Sequence, residues 1–173
     1  MDRLVEFMTD FPGIYEAHFT DAQMVELAMI SERYSRVGIG KQAPIIDTLD
    51  VDGKPFNINT LSAKYVVVAF FSYDCQHCQE FMEEIGPFLK ENPDFDLVGM
   101  AVIGSKREVR RMRRKNDLAD RHFFWGEGEW DGVYTRAYAV NSLPAIFVLD
   151  EARKIVAKPL NVTDLYDFVD SVK

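Results

Sequence analysis

The sequence predicts an α/β fold in which a central mixed β-sheet is covered by helices on both faces. Predicted strands alternate with predicted helices along the chain, which is typical of this class. Two of the strands, 65–71 and 97–103, are almost continuously apolar, and strands of this kind are buried on both faces of a sheet. The runs 145–149 and 154–157 are joined by a short turn, so they predict a closing hairpin and a sheet that is mixed.

A helical N-terminal extension, residues 1–40, is predicted to precede the α/β domain of residues 41–173. Thr20 is a good N-cap, and the glutamine three positions later completes the pattern of a capping box. The apolar positions that follow predict one helical face, on which Met24 and Met29 are expected to pack in the core.

The remaining elements follow from turn and capping signals. Asp52-Gly53 separates two short extended runs and predicts a hairpin. The other predicted elements are, in chain order, a helix over 77–91, a strand over 95–103, a helix over 106–116 capped by Ser105, a strand over 122–125, a helix over 131–139 and a last helix that opens at Thr163.

Composition limits the kind of protein this chain forms. Its 173 residues suit a single domain, and a hydrophobic content of 47% supports a real core. The net charge of −8 argues against nucleic acid as a partner, because a polyanion is repelled. The sequence contains no apolar run long enough for a membrane span, and its N-terminus does not show the pattern of a signal peptide.

The two cysteines of the chain, Cys75 and Cys78, are three positions apart. Two thiols at this spacing form a small reversible ring, and that suits thiol–disulfide exchange, in which one thiolate attacks and the other resolves the mixed disulfide. A buried strand precedes Cys75 and a helix follows it, so this cysteine is expected at a helix start. Cys75 is therefore the predicted nucleophile and Cys78 the predicted resolving thiol.

The neighbours of the pair are expected to tune it. Backbone N–H groups at the helix start and a protonated His77 favour the thiolate form of Cys75. Gln76 adds polarity without charge, whereas Asp74 opposes ionisation because a carboxylate raises the pKa of a nearby thiol. The helix start and His77 are expected to outweigh Asp74 and to make the disulfide more oxidising.

Other roles for the cysteines stay open. A structural zinc site needs about four ligands, and His18 and His122 are the histidines left to join the pair. Nothing in their spacing indicates that they do, so no metal is predicted. The pair is also compatible with an inert structural role in a domain that binds other proteins without catalysis.

A second motif lies downstream, where Leu143-Pro144 precedes the strand 145–149. A hydrophobic strand ending in Cys-x-x-Cys at a helix start, followed much later by such a proline, resembles the thioredoxin superfamily. With the early Ala43-Pro44 and the Asp-Gly hairpin, it most resembles the TlpA/ResA-like thiol–disulfide oxidoreductases. The resemblance implies a three-layer α/β/α sandwich, a cis bond before Pro144 and a substrate groove formed by Leu143 and Pro144.

The sequence departs from the family pattern at the proton acceptor. Thioredoxin has a buried aspartate six positions before its first cysteine, where this chain has Ala69. TlpA-like members often place a glutamate three residues after the second cysteine, where this chain has Phe81. Glu80 is one residue away and is the candidate proton acceptor, although solvation of a helix face is its more ordinary role.

Peroxiredoxins of the AhpC/TSA group share the early Ala-Pro and Asp-Gly features. Their Thr-x-x-Cys site is missing, because Ser72 stands three positions before Cys75.

The resemblance to the TlpA/ResA-like group therefore implies an oxidoreductase that acts on protein disulfides or dithiols and has an upstream redox donor or acceptor protein. The implied enzyme uses no cofactor beyond the Cys75–Cys78 disulfide. The resemblance also implies a location in the periplasm or cell envelope, with the cytoplasm as the alternative, and it leaves the direction of electron flow open.

Two further features have ordinary explanations. The basic stretch 106–115 is expected to be a solvated helix, with docking of an acidic partner or an anionic lipid as the alternative. Trp125 and Trp130 flank a glycine-rich acidic loop and are expected to pack in the core, with a loop that borders the active groove and touches a partner as the alternative.

Overall fold

The computed structural model describes residues 19–126 and 128–173. His18 and the rest of the predicted extension before Phe19 lie outside these residues.

Helix α1, Asp21–Ser35, opens with the predicted capping box, in which Thr20 and Gln23 bond each other's backbone. No residue of α1 is buried, because its apolar residues are spread around the helix rather than gathered on one side. Met29 is 67% exposed and Met24 is only half-buried, so the predicted place of both in the core is wrong.

Seven strands form two sheets in the described residues. A small hairpin contains β1 and β2, and the central sheet has the order β5-β4-β3-β6-β7. Strands β3, β4 and β5 are parallel, whereas β6 and β7 are antiparallel to their neighbours, so the sheet is mixed as predicted. The strands are β1 (Asp47–Leu49), β2 (Pro55–Asn57), β3 (Tyr65–Ser72), β4 (Phe95–Ile103), β5 (His122–Trp125), β6 (Ala145–Leu149) and β7 (Ile155–Ala157).

Helices and the hairpin cover both faces of this sheet. One buried cluster joins the sheet to α2, α3 and α5, and a second joins it to α4, the hairpin and the segment around Val37. The predicted three-layer α/β/α arrangement is therefore confirmed. The helices after α1 are α2 (Gln76–Glu91), α3 (Lys106–Lys115), α4 (Val133–Ala137) and α5 (Val162–Val172).

The end of the predicted extension packs with the domain. Val37 is fully buried in the second cluster, and the Gly40 N–H donates to the Ile155 carbonyl of β7 at 2.7 Å. The chain therefore joins the edge of the fold before residue 41.

Three local predictions are corrected. Helix α4 is shorter than 131–139, because Gly132 separates it from a 3₁₀ turn at Glu129–Asp131. The N-cap of α5 is Asn161 rather than Thr163, since the Asn161 side chain accepts a hydrogen bond from the third residue of the helix. Trp130 lies in the 3₁₀ turn and is 40% exposed, so it is not a core residue, whereas Trp125 is half-buried against the first cluster.

Candidate active site

The Cys-Gln-His-Cys segment lies where the central strand β3 gives way to α2. Strand β3 is buried up to its last residue, Ser72, and the helix begins soon after it. Cys75 is the N-cap of α2 and has extended backbone angles (φ −85°, ψ 119°). The predicted helix is present and begins one residue earlier than expected. Cys75 thus stands where free backbone N–H groups of a helix converge.

The two thiols occupy different environments. Cys78 is fully buried, whereas Cys75 is half-buried at the surface. The backbone N–H of Cys78 donates to Cys75 Sγ at 3.3 Å, and Cys75 Sγ–H donates to the Leu143 carbonyl at 3.9 Å. Cys75 is therefore the more accessible of the two sulfurs.

Burial controls the protonation of Cys78. Removal from water, which is the larger cause, and the hydrogen bond to Cys75 raise the pKa of the Cys78 thiol to about 12. A buried thiol loses hydration that its thiolate needs, so the neutral form is favoured. Cys78 is held as a thiol at neutral pH in the reduced protein.

The polar neighbours of the pair lie on the outside of α2. Glu80 accepts hydrogen bonds from Gln76 Nε2 at 3.0 Å and lies 3.1 Å from His77 Nδ1. These two contacts lower the pKa of the Glu80 carboxyl, and the hydrogen bond from Gln76 is the larger cause. A carboxylate engaged in this way is a weaker proton acceptor, and the structure gives it no contact with Cys78. Asp74 is exposed, so water screens its charge.

The Leu143-Pro144 segment approaches the pair from the start of β6. Its peptide bond is cis, and Leu143 packs against both buried clusters. Within the described residues the Leu143 N–H has no hydrogen-bond partner, while the carbonyl of the same residue faces Cys75 Sγ. The backbone of Leu143 is therefore available next to the sulfur.

Sequence reasoning missed the contacts that shape the loop before Cys75. The Gln79 side chain reaches back from α2 and donates to the Tyr73 carbonyl at 2.8 Å. No sequence signal marks this bond, because a glutamine at the fourth position of a helix is ordinary. It fixes the turn between β3 and α2 and thereby the direction of the Cys75 side chain.

The candidate ligand His122 lies apart from the cysteine pair in the part of the chain that the structure describes. That part holds no group of three or more His, Cys, Asp or Glu side chains arranged to bind a metal. His122 packs instead against the ring of Phe56, with 4.5 Å between the ring centres.

A separate cavity of about 500 Å³ opens between the β1–β2 hairpin and α4. Its apolar wall includes Phe70, Met100 and Phe124 of the second cluster, and no residue of the Cys-Gln-His-Cys segment lines it.

Among the described residues no helix is long and apolar enough to cross a membrane.

Comparison with known proteins agrees with this geometry. The thioredoxin-like family matches residues 63–155, so the chain belongs to this family. Over 146 residues it is 23% identical to the thiol-disulfide oxidoreductase ResA of Bacillus thuringiensis, covering 83% of this chain and 75% of ResA. The predicted membership of the thioredoxin superfamily is confirmed, and the likeness to ResA agrees with the predicted TlpA/ResA-like group within it.

Solved structures share the fold. The thioredoxin domain of a thiol-disulfide oxidoreductase from Bacteroides vulgatus superposes with a TM-score of 0.68 at 23% identity, covering 78% of this chain and 97% of that domain. A thiol-disulfide oxidoreductase from Bacteroides fragilis gives 0.66 at 18% identity, with 77% and 100% covered.

Proposed function

We propose that this protein is a thiol–disulfide oxidoreductase that acts on protein disulfides and dithiols through Cys75 and Cys78. The observation that carries the proposal is the contrast between the two sulfurs. Cys75 is reachable and accepts a backbone N–H, whereas Cys78 is buried and held as a thiol. One sulfur is thus placed to meet a partner and the other to act only after the first has reacted.

The reduced protein reacts in two steps. The Cys75 thiolate attacks a partner disulfide, forms a mixed disulfide and releases one partner thiolate, which takes up a proton. Cys78 then loses its proton and attacks the Cys75 sulfur, which forms the Cys75–Cys78 disulfide and releases the second partner thiolate. Counted from the dithiol, the protein has lost two electrons and two protons: Cys75 released its proton on forming the thiolate, and Cys78 released its proton before the second attack. The partner has gained the two electrons, and each of its two thiolates takes up one proton.

The mixed disulfide itself favours the second step. Once the Cys75 sulfur is bonded to the partner, it no longer carries a negative charge beside Cys78. The hydrogen bond and the charge of Cys75 both raise the pKa of the Cys78 thiol, so neutralising the Cys75 sulfur removes part of that rise. Cys78 therefore ionises more easily when its attack is needed.

Leu143 and Pro144 supply the groove. The free N–H and the adjacent carbonyl of Leu143 suit an extended partner segment that pairs with this backbone as an added strand. His77 stabilises the thiolate from the exposed side. The active disulfide is the redox group, an upstream donor or acceptor protein resets it, and the resemblance to ResA favours a site of action in the cell envelope.

A second candidate function is a binding module whose cysteine pair is structural. The absence of a carboxylate beside Cys78 in the described residues favours it, because the usual proton acceptor of the family is missing. Insulin reduction separates the two. The proposed enzyme precipitates reduced insulin chains in the presence of dithiothreitol faster than the reagent alone, and Cys75→Ser abolishes the acceleration. Equal rates for wild type and Cys75→Ser contradict the proposal.

A further inference from the structure

The exposed face of α3 has unpaired positive charge. Arg107, Arg111 and Arg114 follow each other at spacings of four and three, so they lie along one side of the helix. All three are exposed, and in the described residues none lies within ion-pair distance of a carboxylate. We name these residues the arginine ridge.

The other cations of α3 are engaged. Arg110 and Arg113 bind the Asp52 carboxylate, Lys115 binds Glu83 at 2.6 Å, and Lys106 lies 5.1 Å from the centre of the Trp125 ring. The basic stretch of the sequence therefore divides in two. The engaged cations flank the arginine ridge and hold the hairpin and α2 to the helix, and the arginine ridge itself is exposed.

The arginine ridge shares a cleft with the loop that precedes Cys75. Together with Tyr73, Ser105 and Glu108 it lines a cleft of about 570 Å³. Tyr73 stands two residues before Cys75. The loop that leads into α3 packs against it, because a Cβ placed on Gly104, just before the N-cap Ser105, would lie 3.5 Å from Tyr73 Cβ. The parallel pairing of β3 and β4 explains this, because α2 and α3 then begin at the same edge of the sheet.

The charge of this cleft opposes that of the molecule. The chain has a net charge of −8, and the carboxylate in the cleft, Glu108, is occupied by the cap of α3 through two hydrogen bonds of 2.7 Å from Ser105. These bonds are the main cause of the lowered pKa of Glu108, and the charge of Arg107 is a minor one. A local cationic cleft in an acidic protein orients an anionic partner and repels a cationic one.

We propose that the arginine ridge docks an acidic segment of the polypeptide whose disulfide or dithiol exchanges with Cys75. This inference rests on the proposed function and names its partner class. A polypeptide is favoured over a lipid surface because the site is a cleft between α3 and the β3–α2 loop at Tyr73, and because a chain that reaches Cys75 from the α3 side must cross it. The contacts are Arg–carboxylate pairs in the cleft that Tyr73 and the arginine ridge share.

Three synthetic peptides test the inference. Each contains the same intramolecular disulfide, flanked on one side by glutamates, by lysines or by serines. The rate constant for oxidation of the reduced protein by each peptide is measured at low and high salt. Wild type is expected to prefer the glutamate peptide over the lysine peptide by about tenfold at low salt, and high salt reduces this ratio.

Charge reversal at the ridge is compared with a matched reversal elsewhere. R107E/R111E/R114E is expected to invert the preference, and R107Q/R111Q/R114Q is expected to abolish it. The control K41E/K64E/K154E changes the charge by the same amount with exposed lysines near the opposite end of β3, and it should keep the wild-type ratio. Circular dichroism and thermal unfolding check that each variant is folded.

The outcomes are distinct. An equal loss of preference in the ridge variant and in the control overturns the inference, because net charge alone then explains the ratio. A wild type that reacts with the serine peptide but shows no preference leaves the proposed function standing and overturns the docking site. No reaction with any peptide contradicts the proposed function itself. Ridge-dependent binding to phosphatidylglycerol vesicles, without a peptide preference, assigns the ridge to a membrane surface instead.

Discussion

Cys75 Sγ lies 3.3 Å from the backbone nitrogen of Cys78 and caps α2 by accepting a hydrogen bond from this first-turn N–H. The contact places one sulfur at the helix start and the other one turn inside. Because the first is reachable and the second is buried, the order of reaction of the two thiols is built into the start of α2.

The difference between the sulfurs predicts opposite phenotypes for two serine variants. Cys75→Ser is expected to lose disulfide exchange, because the remaining sulfur is fully buried. Cys78→Ser is expected to form mixed disulfides that do not resolve. Alkylation of the native reduced proteins with iodoacetamide provides the check: Cys75 in Cys78→Ser is expected to react at least tenfold faster than Cys78 in Cys75→Ser. Equal alkylation contradicts the account.

The pH dependence of stability tests the burial of Cys78. Its pKa is raised in the folded protein relative to about 8.5 in an unfolded chain. Below pH 8 both states bind the proton and stability is unaffected. Above that, the unfolded state loses its proton first, so the free energy of unfolding falls by up to about 1.4 kcal/mol per pH unit until the folded pKa is reached.

Urea unfolding of the reduced protein between pH 7.5 and 10 measures this slope. The variant Cys78→Ala lacks the group and controls for the titrations of residues that do not contact Cys78. Wild type should therefore lose stability more steeply than Cys78→Ala as the pH rises, and parallel curves would mean that the pKa of Cys78 is ordinary.

The exposed contact between His77 and Glu80 predicts the direction of two shifts in reduction potential. His77→Ala removes a donor that favours the thiolate, so the potential should become more negative. Glu80→Gln removes a negative charge next to His77, so it should become less negative. Both side chains are more than half exposed, so shifts of about 10–20 mV are expected.

Equilibration with glutathione buffers measures these potentials. The wild-type couple is expected above the roughly −270 mV of thioredoxin. A wild-type value below that, or a His77→Ala shift in the opposite direction, contradicts the tuning role of His77.

Gly99 in β4 is predicted to be intolerant of a side chain. A Cβ at this position lies 2.6 Å from the ring of Phe123, which is fully buried in the neighbouring strand. Gly99→Ala is expected to lower the free energy of unfolding by about 1–3 kcal/mol, because the ring must shift in a packed core. Gly126→Ala, whose Cβ meets nothing closer than 3.6 Å, is the control and should change stability little.

Arg153 is predicted to hold the β6–β7 turn to the 3₁₀ turn after β2. Its side chain is buried, and its guanidinium donates to the carbonyls of Ile58, Leu61 and Asp150. Arg153→Ala is expected to cost about 2–4 kcal/mol in chemical unfolding, because these carbonyls lose a charged donor. Lys154→Ala, at an exposed neighbour, is the comparison, and an equal effect of the two would exclude the role given to Arg153.

The sequence predicted the parts of the fold that burial and capping decide. The buried strands β3 and β4, the Asp-Gly hairpin and the capping box at Thr20 carry local signals that nothing in the tertiary structure opposes. Met29 and Trp130 were misplaced because their burial depends on which segments pack over them, and periodicity does not encode that.

The site divides in the same way. The spacing of Cys75 and Cys78 and the position of Pro144 are visible in the chain. The division of the α3 cations between Asp52 and the arginine ridge is not, because it depends on where the β1–β2 hairpin packs. The bond from Gln79 to Tyr73 is hidden for the same reason.

Capture of a covalent intermediate tests the central claim most directly. Reduced Cys78→Ser is mixed with insulin, quenched in acid and analysed by intact-mass spectrometry and peptide mapping. The account predicts a dithiothreitol-sensitive adduct that joins Cys75 to an insulin chain, and no adduct with Cys75→Ser. The absence of an adduct with Cys78→Ser, or equal adducts with both variants, would contradict it.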